Sequence, residues 1–149
     1  MPAVTFRPTR TRAVLLTAGG VAFGMFTLIA VLLPADGARP WGTGDRLAFA
    51  GTGALILAVL AWLSRPKVVV DAEGITVVNL VTRRRLAWAE IVRVNLRPGD
   101  AWVHLDLADG TSLAAMGIQP GVGREQALRD ARALRALAEE HGTGQPGRR

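Results

Sequence analysis

Two long apolar runs without a single charged residue occupy the first half of this chain. Residues 13–33 read AVLLTAGGVAFGMFTLIAVLL, and residues 47–63 read LAFAGTGALILAVLAWL. Because charges and unpaired backbone groups are costly inside a bilayer, such runs are typical of membrane-spanning helices. At a rise of about 1.5 Å per residue they reach roughly 31 and 25 Å, against a hydrocarbon core of roughly 30 Å. We therefore predict transmembrane helices at residues 13–33 and 47–64.

The charges that flank the two runs predict their orientation. Basic residues lie mainly outside the pair of runs, at Arg7, Arg10, Arg12, Arg65 and Lys67. The connecting segment 34–46 carries two basic residues, Arg39 and Arg46, balanced by Asp36 and Asp45. Cytoplasmic flanks of membrane helices carry an excess of Lys and Arg. The pattern thus predicts a multi-pass protein of the cell membrane with both termini in the cytoplasm.

This topology assigns a role to each flanking segment. Residues 1–12 would be a basic cytoplasmic segment, and residues 34–46 an extracytoplasmic loop rich in Pro and Gly. Indole rings and basic side chains favour the headgroup region. Four residues are the predicted membrane anchors, namely Trp41, Trp62, Arg12 and Arg65.

A cleaved signal peptide is the alternative interpretation of the first run, because an Arg-bearing segment precedes it. Signal peptides usually have apolar regions of about 7 to 15 residues. This run is longer, and no clear A-x-A cleavage site follows it. We favour the two-helix hairpin; the alternative predicts a mature chain that begins near Ala38.

The composition of the runs indicates an anchor. Neither run contains an ionisable residue, which argues against an ion path or a transport site. Gly20 and Gly24 form a GxxxG pattern, and small residues allow two helices to approach closely. This pattern suits packing within the hairpin, and it also suits a homo-oligomer or a contact with another membrane protein.

Charge and composition exclude several functions for the second half. The chain has a net charge of +6, yet residues 67–141 contain ten basic and ten acidic residues. The positive surplus therefore belongs to the membrane flanks and the tail, and we predict no nucleic-acid binding. The chain has no cysteine, which excludes disulfides and thiolate metal sites. We predict no metal and no cofactor.

Beyond Pro66 the periodicity changes from helical to alternating. Short apolar or alternating segments at residues 67–71, 75–81, 90–97, 102–107 and 111–116 predict antiparallel strands. In the third of these, Val92, Val94 and Leu96 would share the buried face. Ala-Asp-Gly at residues 108–110 predicts a hairpin turn. Residues 124–141 predict one amphipathic helix, and residues 142–149 a disordered tail.

This order of elements resembles a pleckstrin-homology-like (PH-like) fold. The resemblance rests on VDAEGITVVNLVTRRRLAWAEIVRV and on the later hairpin HLDLADGTSLAAMGI. The segment is similar to the bacterial PH-domain family typified by the mycobacterial low molecular weight protein antigen 6. The resemblance implies an antiparallel barrel or sandwich of about six or seven strands, capped by a C-terminal helix, at residues 67–141. Members of such families commonly follow one or two membrane helices.

The sharpest local feature is the run Arg83, Arg84 and Arg85, which we predict to lie on a charged turn. Near a membrane, each basic residue contributes about 1 kcal/mol of attraction to anionic headgroups. A solvated turn that keeps the neighbouring strand edges unpaired explains the same residues, and we favour that simpler role.

The remaining polar residues predict a contact surface. Trp102 and His104 lie on one strand face with Asp106 and are candidates for a partner or lipid contact. No nucleophile–histidine, Walker A or HExxH motif is present, so we predict that the chain is not an enzyme. We expect a membrane-anchored, non-catalytic interaction or scaffold protein at the cytoplasmic face. The alternatives are an anionic-lipid-binding module that uses the three arginines, and an accessory subunit of a membrane complex.

Overall fold

The computed structural model describes residues 2–34, 36 and 40–142. The chain divides into two compact units, one formed by Arg12–Ser64 and the other by Met1–Thr11 together with Arg65–Arg149. The predicted disordered tail lies outside the described residues, except for Gly142, which belongs to the last helix.

The first unit contains two apolar helices, α1 (Thr9–Leu32) and α2 (Thr43–Leu63), and both are long and apolar enough to cross a membrane. The second helix begins earlier than its apolar run, because the Asp45 carboxylate accepts a hydrogen bond of 2.8 Å from the Gly42 N–H and caps the helix. Its 21 residues reach about 31 Å, instead of the roughly 25 Å predicted from the run.

Glycines at the contact between α1 and α2 allow the helices to pack closely. A Cβ atom at Gly53 would lie 2.8 Å from the Cβ of Phe26, and one at Gly19 would lie 3.0 Å from a methyl group of Leu57. Gly20 and Gly24 are different, since a Cβ at either would meet no atom of the described residues within 4 Å. The GxxxG pattern therefore lies outside the contact within the hairpin.

In its described residues, the second unit has seven strands in two antiparallel sheets, followed by one helix. The first sheet has the order β1 (Val4–Phe6), β2 (Lys67–Val70), β3 (Gly74–Val78) and β4 (Arg83–Ala87). After a single 3-10 turn at Trp88–Glu90, the second sheet follows with the order β5 (Ile91–Asn95), β6 (Val103–Leu107) and β7 (Ser112–Ala115). The helix α3 (Arg124–Gly142) ends the unit. The predicted fold class is confirmed.

Alternating residues from both sheets and one face of α3 form the core. On β6 the side chains of Val103, Leu105 and Leu107 are buried, as their alternation predicts. Leu134 of α3 is fully buried in the same cluster. Trp88 is also buried, and its indole N–H lies 3.2 Å from the carbonyl oxygen of Asp71. Burial of these apolar side chains is the main source of the unit's stability.

The prediction that the three arginines lie on a turn was wrong. Residues 83–85 belong to strand β4, where Arg83, Arg84 and Arg85 pair with Val78, Val77 and Thr76. The turn comes earlier, and the Asn79 N–H closes it with a bond of 2.8 Å to the Thr82 carbonyl. The Asn79 side chain fixes this position, because its amide donates to the Ala114 carbonyl and accepts from the Met116 N–H.

The predicted orientation of Val92 was also wrong. Its side chain is 69% exposed, whereas Val94 is buried. The register of β5 against β6 shifts between Ile91 and Arg93, so that an extra residue is accommodated as a β-bulge. Because of the bulge, the Val92 side chain points away from the core, although the alternating sequence pattern predicts that it is buried.

Strand β1 was not predicted. Residues 1–12 appear in the sequence as a basic flank, yet Val4–Phe6 pairs with β2 through the register Val4↔Val70, Thr5↔Val69 and Phe6↔Val68. The two apolar helices therefore lie, in chain order, between two neighbouring strands of one sheet.

Candidate functional site

The three arginines of β4 do not form a single cluster. Since successive side chains on a strand alternate between its faces, Arg84 shares a face with the buried Leu86, while Arg83 and Arg85 lie on the other face. Arg84 lies 3.9 Å from Asp109 across the unit. A guanidinium nitrogen of Arg85 lies 3.1 Å from a carboxylate oxygen of both Asp71 and Glu73. Two of the three charges thus have acidic partners.

The turn between β2 and β3 positions those partners. The Asp71 carboxylate accepts hydrogen bonds from the backbone N–H groups of Glu73 and Gly74, at 3.1 and 3.0 Å. Gly74 is required there, because a Cβ would lie 2.0 Å from the Leu86 carbonyl oxygen. The acid in this turn therefore has two functions, since it closes the turn and neutralises Arg85.

Arg83 lies at the end of the sheet that is nearest in sequence to the apolar helices. The register aligns Lys67 with Val78, and Val78 with Arg83, so that the three side chains form one row across one face. Lys67 follows only four residues after Leu63, the last residue of α2. Among the described residues, Arg83 has no ion-pair partner.

Trp102 lies directly before β6 and His104 lies on it, and among the described residues the two form no catalytic arrangement. His104 and Asp106 occupy the outer face of the second sheet, where they pair with Asn95 and Arg93 of β5. The His104 Nδ1 lies 3.7 Å from the Asp100 carboxylate. That carboxylate also accepts the Arg97 N–H at 2.8 Å and so serves the preceding turn.

The turn between β6 and β7 carries a carboxylate with an altered pKa. The hydroxyl and the N–H of Thr111 both donate to Asp109, at 2.6 and 2.8 Å. These hydrogen bonds hold the pKa of Asp109 below its usual value, with a smaller contribution from Arg84. Asp109 is therefore ionised and available to Arg84, and its function is structural.

A groove that the sequence did not predict lies between β5 and α3. It has a volume of about 670 Å³, and its lining includes Val92, Arg93 and Arg135. The Arg135 guanidinium donates to the Val94 carbonyl at 3.0 Å. This bond covers one backbone acceptor on the outer edge of β5, where an added strand would otherwise bind.

A second missed feature joins the N-terminal segment to α3. The Gln126 side-chain amide donates to the Arg7 carbonyl and accepts from the Thr9 hydroxyl, both at 2.8 Å. Phe6 is 9% exposed and belongs to the core. Three residues of strand are too short for alternation to be recognised in the sequence, and nothing local marks Gln126 as their partner.

The predicted membrane anchors lie in or beside the two apolar helices. Trp41 and Trp62 are 37% and 44% exposed, and the Trp41 ring contacts Phe49 edge-on at 6.2 Å. Arg46 caps the end of α1, because its guanidinium donates to the Val31 and Leu33 carbonyls. Such bonds satisfy helix-terminal acceptors that have no partner within the helix.

Comparison with known proteins finds a family similarity in the second unit. Residues 65–137 match the family model described as the bacterial PH domain. Similar curated proteins include an uncharacterized protein of Mycobacterium bovis and two of Mycobacterium tuberculosis, each 30% identical over 95 residues. The match covers 64% of this chain and 61% of each relative, so the chain spans about three fifths of the relatives' length. No solved structure matches the chain.

The match agrees with the observed architecture of two antiparallel sheets and a C-terminal helix. It begins at residue 65 and so leaves out β1, which two apolar helices separate from the rest of the sheet. The closer similarity to the antigen 6 type stays a prediction. Residues 65–137 are thus similar to the bacterial PH domain, and two helices that are long and apolar enough to span a membrane precede them.

Proposed function

We propose that this chain is a membrane-anchored, non-catalytic interaction module that holds a PH domain at the cytoplasmic face of the cell membrane. One observation carries the proposal, namely that β1 precedes the two apolar helices, β2 follows them, and the two strands pair. The domain is thereby attached to both ends of the helical segment, which suits a fixed anchor.

The distribution of charge supports the cytoplasmic orientation. Arg10, Arg12 and Arg65 lie at the two ends of the helical segment that join the PH domain. In the connecting segment, Arg46 binds the carbonyl groups that end α1. Basic side chains are thus concentrated on the side of the domain, as positive-inside orientation requires.

The outer face of the second sheet is our preferred partner surface. It carries His104, Trp102 directly precedes its strand β6, and the bulge adds the exposed apolar side chain of Val92 at its edge. Aromatic and apolar groups beside charged ones are typical of protein contacts. The His104–Asp100 pair lies beside this face without forming a nucleophile–base arrangement.

Site-specific photo-crosslinking in cells tests this function. A photoreactive residue at His104 or Val92 should give a discrete higher-mass product that mass spectrometry identifies as one protein. The matched control is Val81, an 86% exposed valine in the turn before β4, which should give no such product. Equal yields at all three positions, or none at the first two, would contradict a partner on this face.

An anionic-lipid surface is the second candidate function, and the row Lys67, Val78 and Arg83 favours it. Two basic side chains share one face at the end of the sheet next in sequence to α2, and each contributes about 1 kcal/mol to headgroup attraction. The full chain can be reconstituted in nanodiscs of neutral or anionic lipid, and hydrogen exchange of β4 measured in each. We expect β4 to exchange more slowly in anionic than in neutral lipid. Arg83→Gln should abolish this difference. Arg84→Gln should keep it, because the natural Arg84 side chain lies beside Asp109. The same exchange in both lipids would remove this candidate.

An accessory role beside another membrane protein is the third candidate. A Cβ atom at Gly20 or Gly24 would meet no atom of the described residues within 4 Å, so this small-residue face of α1 is open to a further helix. Close helix approach over such a face is a common means of association in membranes.

A further inference from the structure

We propose that residues 4–9 form an N-terminal strap that closes the PH domain from the far end of the helical segment. The domain is then discontinuous, built from residues 4–9 and 65–142, and the two apolar helices are an insertion that must cross the membrane together. This inference does not depend on which partner or lipid the domain binds.

Strand pairing is the first observation behind the strap. Three residue pairs join β1 to β2, from Val4↔Val70 to Phe6↔Val68. Paired strands lie about 4.8 Å apart, whereas the two sides of a membrane are separated by a hydrocarbon core of roughly 30 Å. The segments before α1 and after α2 must therefore lie on the same side.

Attachment to α3 is a second, independent observation. Both polar groups of the Gln126 amide are used by the strap, one by the Arg7 carbonyl and one by the Thr9 hydroxyl. The Arg10 side chain also passes Gly123, one turn earlier, where a Cβ atom would lie 3.5 Å from the Arg10 Cδ. The strap is thus held by a sheet on one side and by a helix on the other.

The core supplies the third observation. Phe6 is buried in the same cluster as Val68 and Leu134, so the strap contributes apolar volume as well as backbone pairing. Without the strap, β2 would become an open edge strand, and such edges recruit other chains.

The strap limits the topologies that the chain can adopt. A single crossing by α1 or by α2 would place β1 and β2 on opposite sides of the bilayer, where they cannot pair. Cleavage after the first apolar run would remove β1 altogether. Two crossings by an uncleaved chain are compatible with the strap.

A disulfide across β1 and β2 tests the strap in the full chain in membranes. The chain has no cysteine, so the double variant T5C/V69C contains only the engineered pair. These residues lie directly opposite each other, at a Cα separation of about 5 Å that suits a disulfide. A specific protease sequence inserted after residue 37 then allows the connecting segment to be cut.

The expected result is a cleaved chain that keeps its full-length mass without reductant and separates into two fragments with reductant. The matched control T5C/V81C should separate under both conditions, since β2 and β3 lie between β1 and the turn that holds Val81. If T5C/V69C does not accumulate, V4C/V70C, which is directly opposite on the other face, replaces it. Separation of both opposed pairs without reductant would overturn the strap.

Protease added to intact spheroplasts tests the paired crossing. Cutting of the connecting segment from outside is the expected result. Cutting only after lysis would show that the two helices do not cross as a pair, and would overturn that part of the proposal.

Discussion

Phe6 lies directly opposite Val68 in one antiparallel sheet, although both apolar helices separate them in the chain. This pairing makes the N-terminal segment a part of the PH domain. It also means that residues 65–137, the part that matches the family, lack one strand of the sheet and one aromatic side chain of the core.

Phe6→Ala should destabilise the PH domain strongly. Truncation of a buried Phe costs about 3–5 kcal/mol, and at an edge strand we expect about 3 kcal/mol. The measurement is hydrogen exchange of β2 amides in the detergent-solubilised chain, with thermal unfolding beside it. Val4→Ala is the control, because Val4 is on the same strand and 37% exposed. Equal effects of the two substitutions would mean that Phe6 is not part of the core.

Asn79→Ala should separate the two sheets at their junction. The side chain bonds to the Ala114 carbonyl and the Met116 N–H, and each bond contributes about 1 kcal/mol. We expect a loss of about 2 kcal/mol in the free energy of unfolding, with faster hydrogen exchange in β7. Asn95→Ala, at a half-buried Asn of β5, should cost less. If both substitutions lower the free energy of unfolding by a similar amount, Asn79 does not join the two sheets as described.

Gly53→Val should disrupt the packing of α1 on α2, because its Cβ would lie 2.8 Å from the Cβ of Phe26 and 3.1 Å from the Cα of Phe23. Overpacking of this kind costs about 1–3 kcal/mol. Thermal loss of helical circular dichroism in detergent measures it. Gly20→Val is the matched control, since a Cβ at Gly20 would meet no atom within 4 Å. If Gly20→Val lowers the thermal stability of the helices more than Gly53→Val does, α1 packs on α2 through the face that carries Gly20.

The stability of the strap region should depend on pH through Asp130. Burial raises the pKa of its carboxyl group, and this outweighs the opposing effects of Gln126 and Arg129. Because the folded state binds the proton more tightly than the unfolded state, this contribution to stability is full below the unfolded pKa. It is lost as the pH rises through the folded pKa.

Asp130→Asn removes that dependence. Relative to this variant, the natural chain should gain thermal stability when the pH falls from about 7 to about 4. Melting temperatures of both chains across this range give the comparison. If the difference in melting temperature between the two chains stays constant with pH, or changes in the opposite direction, the assigned effect of burial is wrong.

The elements with strong local patterns were predictable from the sequence. Val103, Leu105 and Leu107 all face the core, as their alternation with polar residues predicts, and the helix at residues 124–141 corresponds to α3. The Ala-Asp-Gly turn was also predictable, since Gly110 takes a positive φ of 82°, which glycine adopts readily.

Features that depend on distant residues were not predictable. Nothing near Val4 reveals that its strand partner follows two helices later, and the bulge at Val92 depends on the register with β6. The three arginines were expected on a turn, because the bonds from Asn79 to β7 are invisible in the local sequence. In each case a tertiary contact overrides the local preference.

Labelling of single cysteines in intact cells tests the central claim most directly. Three variants of the cysteine-free chain are needed, with Cys at Val4, Asp36 or Val81, and a membrane-impermeant maleimide as the probe. A PH domain held with both helix ends at the cytoplasmic face predicts labelling at position 36 in intact cells, and at positions 4 and 81 only after permeabilisation. Labelling at 4 or 81 in intact cells, or protection of 36 there, would contradict the account.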